Sequence, residues 1–535
     1  MIAKVILKNF RRFEAAEIEF GKGLNILVGD NEAGKSTLLE AINLALTKRW
    51  GGKFFEQVLS HHFVTTSVSS GFVSEVKAGK HPQPPELIVE VYFYDDPTLV
   101  GLKGTNNSLR EDLPGYRLRA ALDEDFRAEY AEFLSKPDDV TTVPTEFYKV
   151  EWTNFAGQPV NVRALRVKAS LIDASRIRLQ SGADYHLQKI IGDTLDIKDR
   201  ALLARSYRLH QEKFGAESSI KAVNKAVADG GAKVTDKAFS LEIDTSGANG
   251  WESALAPHLD QLPFHFSGSG EQNRLKILLA LARRVEESHV ILVEEPENHL
   301  SFTNLNDLLD RITEQSSGRQ IIVATHSSFV VNKLGLEQLM LLSGGKVSRL
   351  ANLPAGTQDY FKKLSGYDTL RLVLADKAVL VEGPSDDLIF QRAYHDKKKR
   401  RAIEDRVDVI SVRGLSAQRF LDLAVPLKRR TLVVTDNDGD HASKVDARYK
   451  KYTDTHDFVT IHRSDDNSRP TLEPQLLGAN DLTTLNKVLG KSYNSESDLL
   501  AYMENNKTDV ALKFFETTER VQWPKYIEEA IDALG

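Results

Sequence analysis

Three aspartates fall within five positions in "TLVVTDNDGD", residues 431–440, directly after a β-favouring run. On an extended chain residues i and i+2 point to one side, so Asp436 and Asp438 would aim two carboxylates at one spot. Like charges so placed repel unless a cation joins them, and Mg²⁺ prefers such oxygen ligands. Asp440 completes the run. The competing reading is an ordinary polar turn, because Asp, Asn and Gly are also turn residues. Further carboxylates decide between the two. Glu382 ends the strand-like "AVLVEGPSDD" at a Gly-Pro turn, Asp386 opens the helix after it, and parallel pairing of the two strands would set Glu382 beside Asp436 and Asp438.

A second chemical constellation opens the chain. Residues 29–36 fit G-x-x-x-x-G-K-S, with Gly29, Gly34, Lys35 and Ser36, between a hydrophobic strand and an apolar-periodic helix. Glycines let backbone N–H groups turn towards phosphate oxygens, Lys35 adds charge, and Ser36 is placed to ligate Mg²⁺. Asn31 and Thr37 complete the candidates of this nucleoside-triphosphate loop. Far downstream, "SHVILVEEPENHL" reads as a buried strand ending in Glu294 and Glu295, and "RQIIVATHSS" as another ending in His326. One glutamate would hold Mg²⁺ and the other would orient or deprotonate water. Ser267 and Gly268 precede an amphipathic helix, a further anion-binding helix start.

These four elements, in this order, resemble the ATP-binding-cassette heads of chromosome-maintenance and recombination ATPases. The resemblance implies ATP, and a dimer in which the Ser267–Gly268 loop of one head closes on the triphosphate of the other. The first Walker B acid of that family is usually Asp, and here it is Glu294, so which of Glu294 and Glu295 is the base stays open.

The elements that must position these residues make a long chain. With 535 residues, 41% hydrophobic and 27% charged, two or three soluble domains are expected. Zero cysteines exclude disulfides, thiolate zinc sites and cysteine nucleophiles. No run approaches a membrane span and no signal-peptide core opens the chain, so a cytoplasmic protein without membrane partner is expected. A net charge of −6 leaves room for a local basic face, for which Lys397 to Arg401 and Lys428 to Arg430 are candidates, against the plainer reading of solvated helix ends. No sustained heptads appear, so a very long coiled-coil arm is not expected. The boundaries read as 1–180 and 241–352 for the two halves of an ATPase, 181–240 for a helical insertion that either dimerises or merely packs, 353–375 for a linker, and 376–535 for a second α/β domain.

Glu-Gly after one strand and Asp-x-Asp after a later one resemble the Toprim domain of topoisomerases, primases and certain nucleases. A cassette head followed by Toprim is similar to the OLD (overcoming lysogenization defect) nucleases, including the nuclease subunit of Gabija-type bacterial defence. The fold class implied is α/β, an ABC-type head with a helical dimerisation insertion and a C-terminal Toprim domain with a parallel sheet. The resemblance implies a two-metal site of Glu382, Asp386, Asp436, Asp438 and Glu473, loaded with Mg²⁺, Mn²⁺ or Ca²⁺. Thr471 and Glu473 match the family's small-hydroxyl-x-Glu element, and its C-terminal lysine falls on Lys507 or Lys513. The function implied is endonuclease or nickase action on double-stranded DNA by a homodimer or dimer of dimers, with a helicase or other defence partner. The alternatives are a DNA-binding repair ATPase with a non-cutting Toprim module, and a strand-passage enzyme. The latter needs a nucleophilic tyrosine, and none of the 15 lies in a recognisable context near the acids.

Overall fold

Along the opening strand β1, Ile2–Phe10, Val5 and Leu7 are buried at the two-residue period of a half-buried strand, while Ile2 and Phe10 are buried across a register shift after Ile2 and a left-handed step at Asn9. The computed structural model describes residues 1–535 except 31, 162–164, 174–178, 181–182, 185–194, 231–241, 244–250, 252–257, 283–288, 317, 344, 350–352, 364–368 and 413–416. The chain forms two compact units, one of Met1–Asn25 and Gly34–Thr325, the other of Ile26–Ala33 and His326–Gly535.

In the first unit β1 pairs antiparallel with β2, Phe13–Glu19. The strand β3, Leu24–Val28, and the glycine loop after it lead to α1, Lys35–Thr47. Strands β4, Leu87–Phe93, β5, Leu113–Leu122, and β6, Tyr148–Asn154, extend the antiparallel sheet in the order β2-β1-β4-β5-β6. Next come β7, Ala169–Asp173, and the helices α2, Ile197–Gly215, α3, Ser218–Gly230, and α4, Ser269–Ala282. β7 then pairs in parallel with β8, Val290–Glu294, and β8 with β9, Gln320–Ala324. Val290 to Val293 and Ile321 to Val323 are wholly buried, which is why these strands read as continuous apolar runs. The buried Gln320 amide is satisfied by the Ile2 and Gly21 carbonyls and by the Ile2 N–H, all at 2.7 Å.

In the second unit residues 26–28 of β3 pair in parallel with β10, Leu339–Ser343, which follows α5, Ser328–Leu334. The helices α6, Ala355–Lys363, and α7, Thr369–Leu374, lead to a four-stranded parallel sheet. Its elements are β11, Lys377–Val381, α8, Pro384–Lys398, β12, Val407–Ser411, α9, Ala417–Ala424, β13, Arg430–Val434, α10, Ala447–Thr453, and β14, Val459–His462. Strand order is β12-β11-β13-β14, so the chain reverses direction across the sheet between β11 and β13. At such a switch point the carboxyl ends of adjacent strands leave a crevice. One sheet face is covered by α8 together with α11, Leu472–Ala479, α12, Lys507–Glu516, and α13, Lys525–Ala533, around Val379, Val381, Leu432 and Val434.

This topology agrees with the plainer reading of the two basic runs and sets neither beside the acids. Helix α8 starts at the carboxyl edge of the sheet and runs back, so Lys397 to Arg401 end up at the amino edge, as do Lys428 to Arg430 at the start of β13. Lys397 pairs with Asp532, Arg400 with Asp405 and Arg401 with Glu404, at 2.7–2.8 Å. Arg429 donates to the Val373 carbonyl and Arg430 to that of Ala533. No described helix is long and apolar enough to cross a membrane.

Candidate active site

Strands β11 and β13 lie in register with Val381 opposite Val434, so the residues that follow them emerge side by side at the switch point. Glu382 accepts hydrogen bonds from the Thr435 hydroxyl and, at 3.0 Å, from the Asp436 N–H. Asp386 occupies the third position of α8, where its carboxylate accepts from the Gly383 N–H at 3.0 Å, the back-reaching half of a capping box that glycine, lacking a side chain, cannot reciprocate. Glu473, 3% exposed in the first turn of α11, accepts from the Thr471 hydroxyl at 3.2 Å and pairs with Lys507 at 3.1 Å. Lys507 opens α12 and is half exposed, whereas Lys513 is exposed further along that helix, so Lys507 is the lysine that reaches the acids.

Charge binds these groups together. Burial, then the fields of Glu382, Asp386 and Glu473, pushes the Asp436 carboxyl up to about 9. Burial and Glu382 push that of Asp386 up to about 7. Burial alone would lower the Lys507 ammonium, but Glu473, Asp436 and Asp386 outweigh it and hold the charge on. Among the described residues no three carboxylate or imidazole groups already stand at the spacing of a formed metal centre. The donor set is nonetheless all hard oxygen, desolvated and short of positive charge, which suits Mg²⁺ or Mn²⁺.

Asp438 needs a correction. The strand stops at Val434 and Asp438 has φ +53, so the extended geometry that would aim it with Asp436 is absent. The buried Asn437 explains the turn: its amide donates to the Asp466 carbonyl at 2.8 Å and accepts from the Gly439 N–H at 2.9 Å. Asp438 instead lines a cavity of about 280 Å³ with Glu382, towards α9 and α10. Asp440 accepts from the N–H and hydroxyl of Ser443 and takes no part in the cluster, so the polar-turn reading holds for it. The sequence also gave no sign of Tyr526, one of the apolar-face residues of α13. It is 5% exposed, and burial and then Asp436, Asp386, Glu382 and Glu473 keep its hydroxyl un-ionised.

The nucleotide candidates divide between the units. In the second, a Cβ on Gly29 would meet the Leu342 carbonyl at 2.4 Å, and His326 is exposed just past β9. In the first, Gly34 has φ +104 with the Phe13 ring 2.8 Å from where a Cβ would sit. Lys35, Ser36 and Thr37 form the first turn of α1, which lies against β7, β8 and β9. Glu294 is the last residue of β8, and the backbone N–H of Glu295, at φ +48, donates to the Ala324 carbonyl at 2.8 Å. Ser267 and Gly268 precede α4, where the Gln272 amide donates to the Ser267 carbonyl at 2.7 Å. Asn31 lies outside the described residues.

Comparison with known proteins agrees with both halves. The family model for the TOPRIM domain of overcoming lysogenization defect protein-like proteins matches residues 373–438. An AAA domain model matches 4–83, and a second AAA domain model, described with the AbiEii toxin of Type IV TA systems, matches 180–332. The DNA double-strand break repair Rad50 ATPase of Methanopyrus kandleri is 55% identical over 49 residues, 9% of this chain and 6% of that protein. The DNA replication and repair protein RecF of Streptococcus gordonii is 36% identical over 87 residues, 16% of this chain and 24% of that protein. The chain therefore spans only a small part of these relatives. The SMC head domain from Thermotoga maritima aligns at 15% identity and TM-score 0.30, over 65% of this chain and 97% of that one. Regions that match AAA ATPase domain models and an overcoming-lysogenization-defect-like Toprim domain model are thus joined in this one chain.

Proposed function

We propose that the chain is a metal-dependent nuclease that hydrolyses DNA phosphodiester bonds at the carboxyl edge of its Toprim sheet, under the control of its ATP-binding head. The observation that carries this reading is the meeting of Glu382, Asp386, Asp436 and Glu473 at the switch point, with Lys507 beside them. Bound there, divalent cations would polarise the phosphate and lower the pKa of water. Asp386, Asp436 and Glu473 would form one group of ligands, and Glu382 with Asp438 would add a second towards the cavity. Lys507 is placed to offset charge developing on phosphate oxygens. In the head, Lys35 and Ser36 would hold the triphosphate, with Gly29, Gly34 and Thr37 shaping the loop. Glu294 and Glu295 would share metal binding and water activation, and His326 would sense the γ-phosphate.

The same reading assigns 1–180 and 241–352 to the head and 376–535 to the nuclease. It makes double-stranded DNA the substrate, the heads a dimer, the metal Mg²⁺, Mn²⁺ or Ca²⁺, and the setting cytoplasmic bacterial defence with a further protein partner. A non-cutting Toprim module in a repair ATPase is the second reading, favoured by the repair proteins among the relatives.

Supercoiled plasmid incubated with the protein and Mg²⁺ or Mn²⁺, with and without ATP, separates the two. Nicking that an Asp436→Ala, Asp438→Ala double variant loses supports the nuclease. Intact plasmid in every lane, with ATP hydrolysis preserved, supports the second reading.

A further inference from the structure

The cavity beside Asp438 has a composition that metal ligation does not account for. Its lining combines the apolar Leu380, Val412 and Val433, all almost fully buried, with two acids, Glu382 and Asp438. Arg448 and Tyr449 from α10 share that lining. Arg448 is exposed and makes no ion pair with a carboxylate among the described residues. The Tyr449 hydroxyl lies in the fields of Arg448, Glu382 and Asp438. A cation without a carboxylate partner, in the same cavity as two acids of metal-ligand type, fits a phosphate whose other oxygens would face the acids' metal. A small cavity with a partly apolar lining fits a base lifted out of its stack. At about 280 Å³ the space is near the lower limit of ligand pockets, the size of one nucleotide rather than a duplex.

We propose that this cavity seats a single unstacked nucleotide of the DNA strand being cut, with Arg448 pairing with its phosphate. The inference rests on the nuclease reading and adds a substrate preference to it: strands whose bases are unpaired or easily flipped are cut first.

The test uses the full chain and duplexes carrying 2-aminopurine at successive positions, bound to an Asp436→Asn variant in Ca²⁺ so that no cutting intervenes. Fluorescence should rise severalfold at one position, and Arg448→Ala in the same background should remove the rise. In cleavage by the otherwise unaltered protein, Arg448→Ala should raise KM for DNA about tenfold, with Arg448→Lys recovering part of it. A mismatch at the responsive position should speed cutting. A silent probe at every position, with Arg448→Ala cutting like the parent, overturns the nucleotide seat and leaves the nuclease standing. Displacement of the signal by free mononucleotide at micromolar concentration reassigns the cavity to a free ligand and also overturns it. A parent that cuts no DNA form in Mg²⁺ or Mn²⁺ overturns the nuclease reading, and this inference falls with it.

Discussion

Lys507 and Lys513 lie six residues apart on one helix, yet only Lys507 meets an acid, at 3.1 Å from Glu473. Replacing Lys507 with Ala should cut the nicking rate about 100-fold, the scale of losing a charge aimed at a transition state. Lys513→Ala should leave it unchanged, and initial rates on supercoiled plasmid check both. Tyr526 divides differently, because its ring belongs to the core with Val381, Val434 and Leu472 while its hydroxyl lies in the field of the acids. Tyr526→Ala should cost ~3–5 kcal/mol in urea unfolding, as a buried aromatic truncation does. Tyr526→Phe should keep the midpoint and change only the Mg²⁺ concentration needed for half-maximal nicking. The acids were legible in the sequence because each sits at a strand or helix end marked by Gly, Pro or Asp. Tyr526 was not, since a tyrosine on the apolar stripe of an amphipathic helix looks like any core residue until the fold decides what lies above it.

At the scale of elements, the parallel register of β11 and β13 turns separate acids into one site. The same register predicts how stability follows pH without metal. The Asp436 and Asp386 carboxyls, ordinarily at 3.8, are raised to about 9 and about 7 in the folded domain. The fold therefore retains protons that the unfolded chain has released. Their contribution is complete below about pH 4 and is lost as pH rises through 7 and then 9. In EDTA the melting temperature should fall from pH 6 to pH 9, Mg²⁺ should flatten that slope, and Asp436→Asn should remove much of it. Thermal melts across that range are the check. The turn after β13 shows where reading by strand periodicity ended. Two aspartates at i and i+2 share a face only while the chain stays extended, and Asn437, tied to the 464–469 loop, bends it into a left-handed step at Asp438. The basic runs are helix and strand ends rather than a face beside the acids, for a related reason. Sequence distance placed them near the acids, but a helix antiparallel to its strands carried them to the other edge. Arg401→Ala with Lys398→Ala should thus leave DNA affinity unaltered in a filter-binding assay.

At the scale of the molecule, both motif clusters and the α/β rhythm were readable from the chain, while the grouping of segments was not, because it depends on pairing between strands hundreds of residues apart. Helix α5, which starts two residues after His326, packs on α6 and α7, and α7 packs on α9 and β12. The joints are specific: the buried Thr369 hydroxyl donates to Asn332 at 2.5 Å, that of Thr357 to Asp422 at 2.5 Å, and Arg371 pairs with Asp408 at 3.1 Å. Thr369→Val should weaken the influence of ATP on nicking by severalfold while sparing ATP hydrolysis itself, as paired assays with and without nucleotide would reveal.

The second unit also takes in Ile26–Ala33, a piece of chain made long before the rest of it. On a ribosome adding about 5–20 residues per second, that strand and loop wait about 15–60 s for β10 to be made. Throughout that interval an apolar strand that is wholly buried in the finished fold lacks its β10 partner, which makes the nascent chain a client for holding chaperones and ties the order of synthesis to the yield of folded protein.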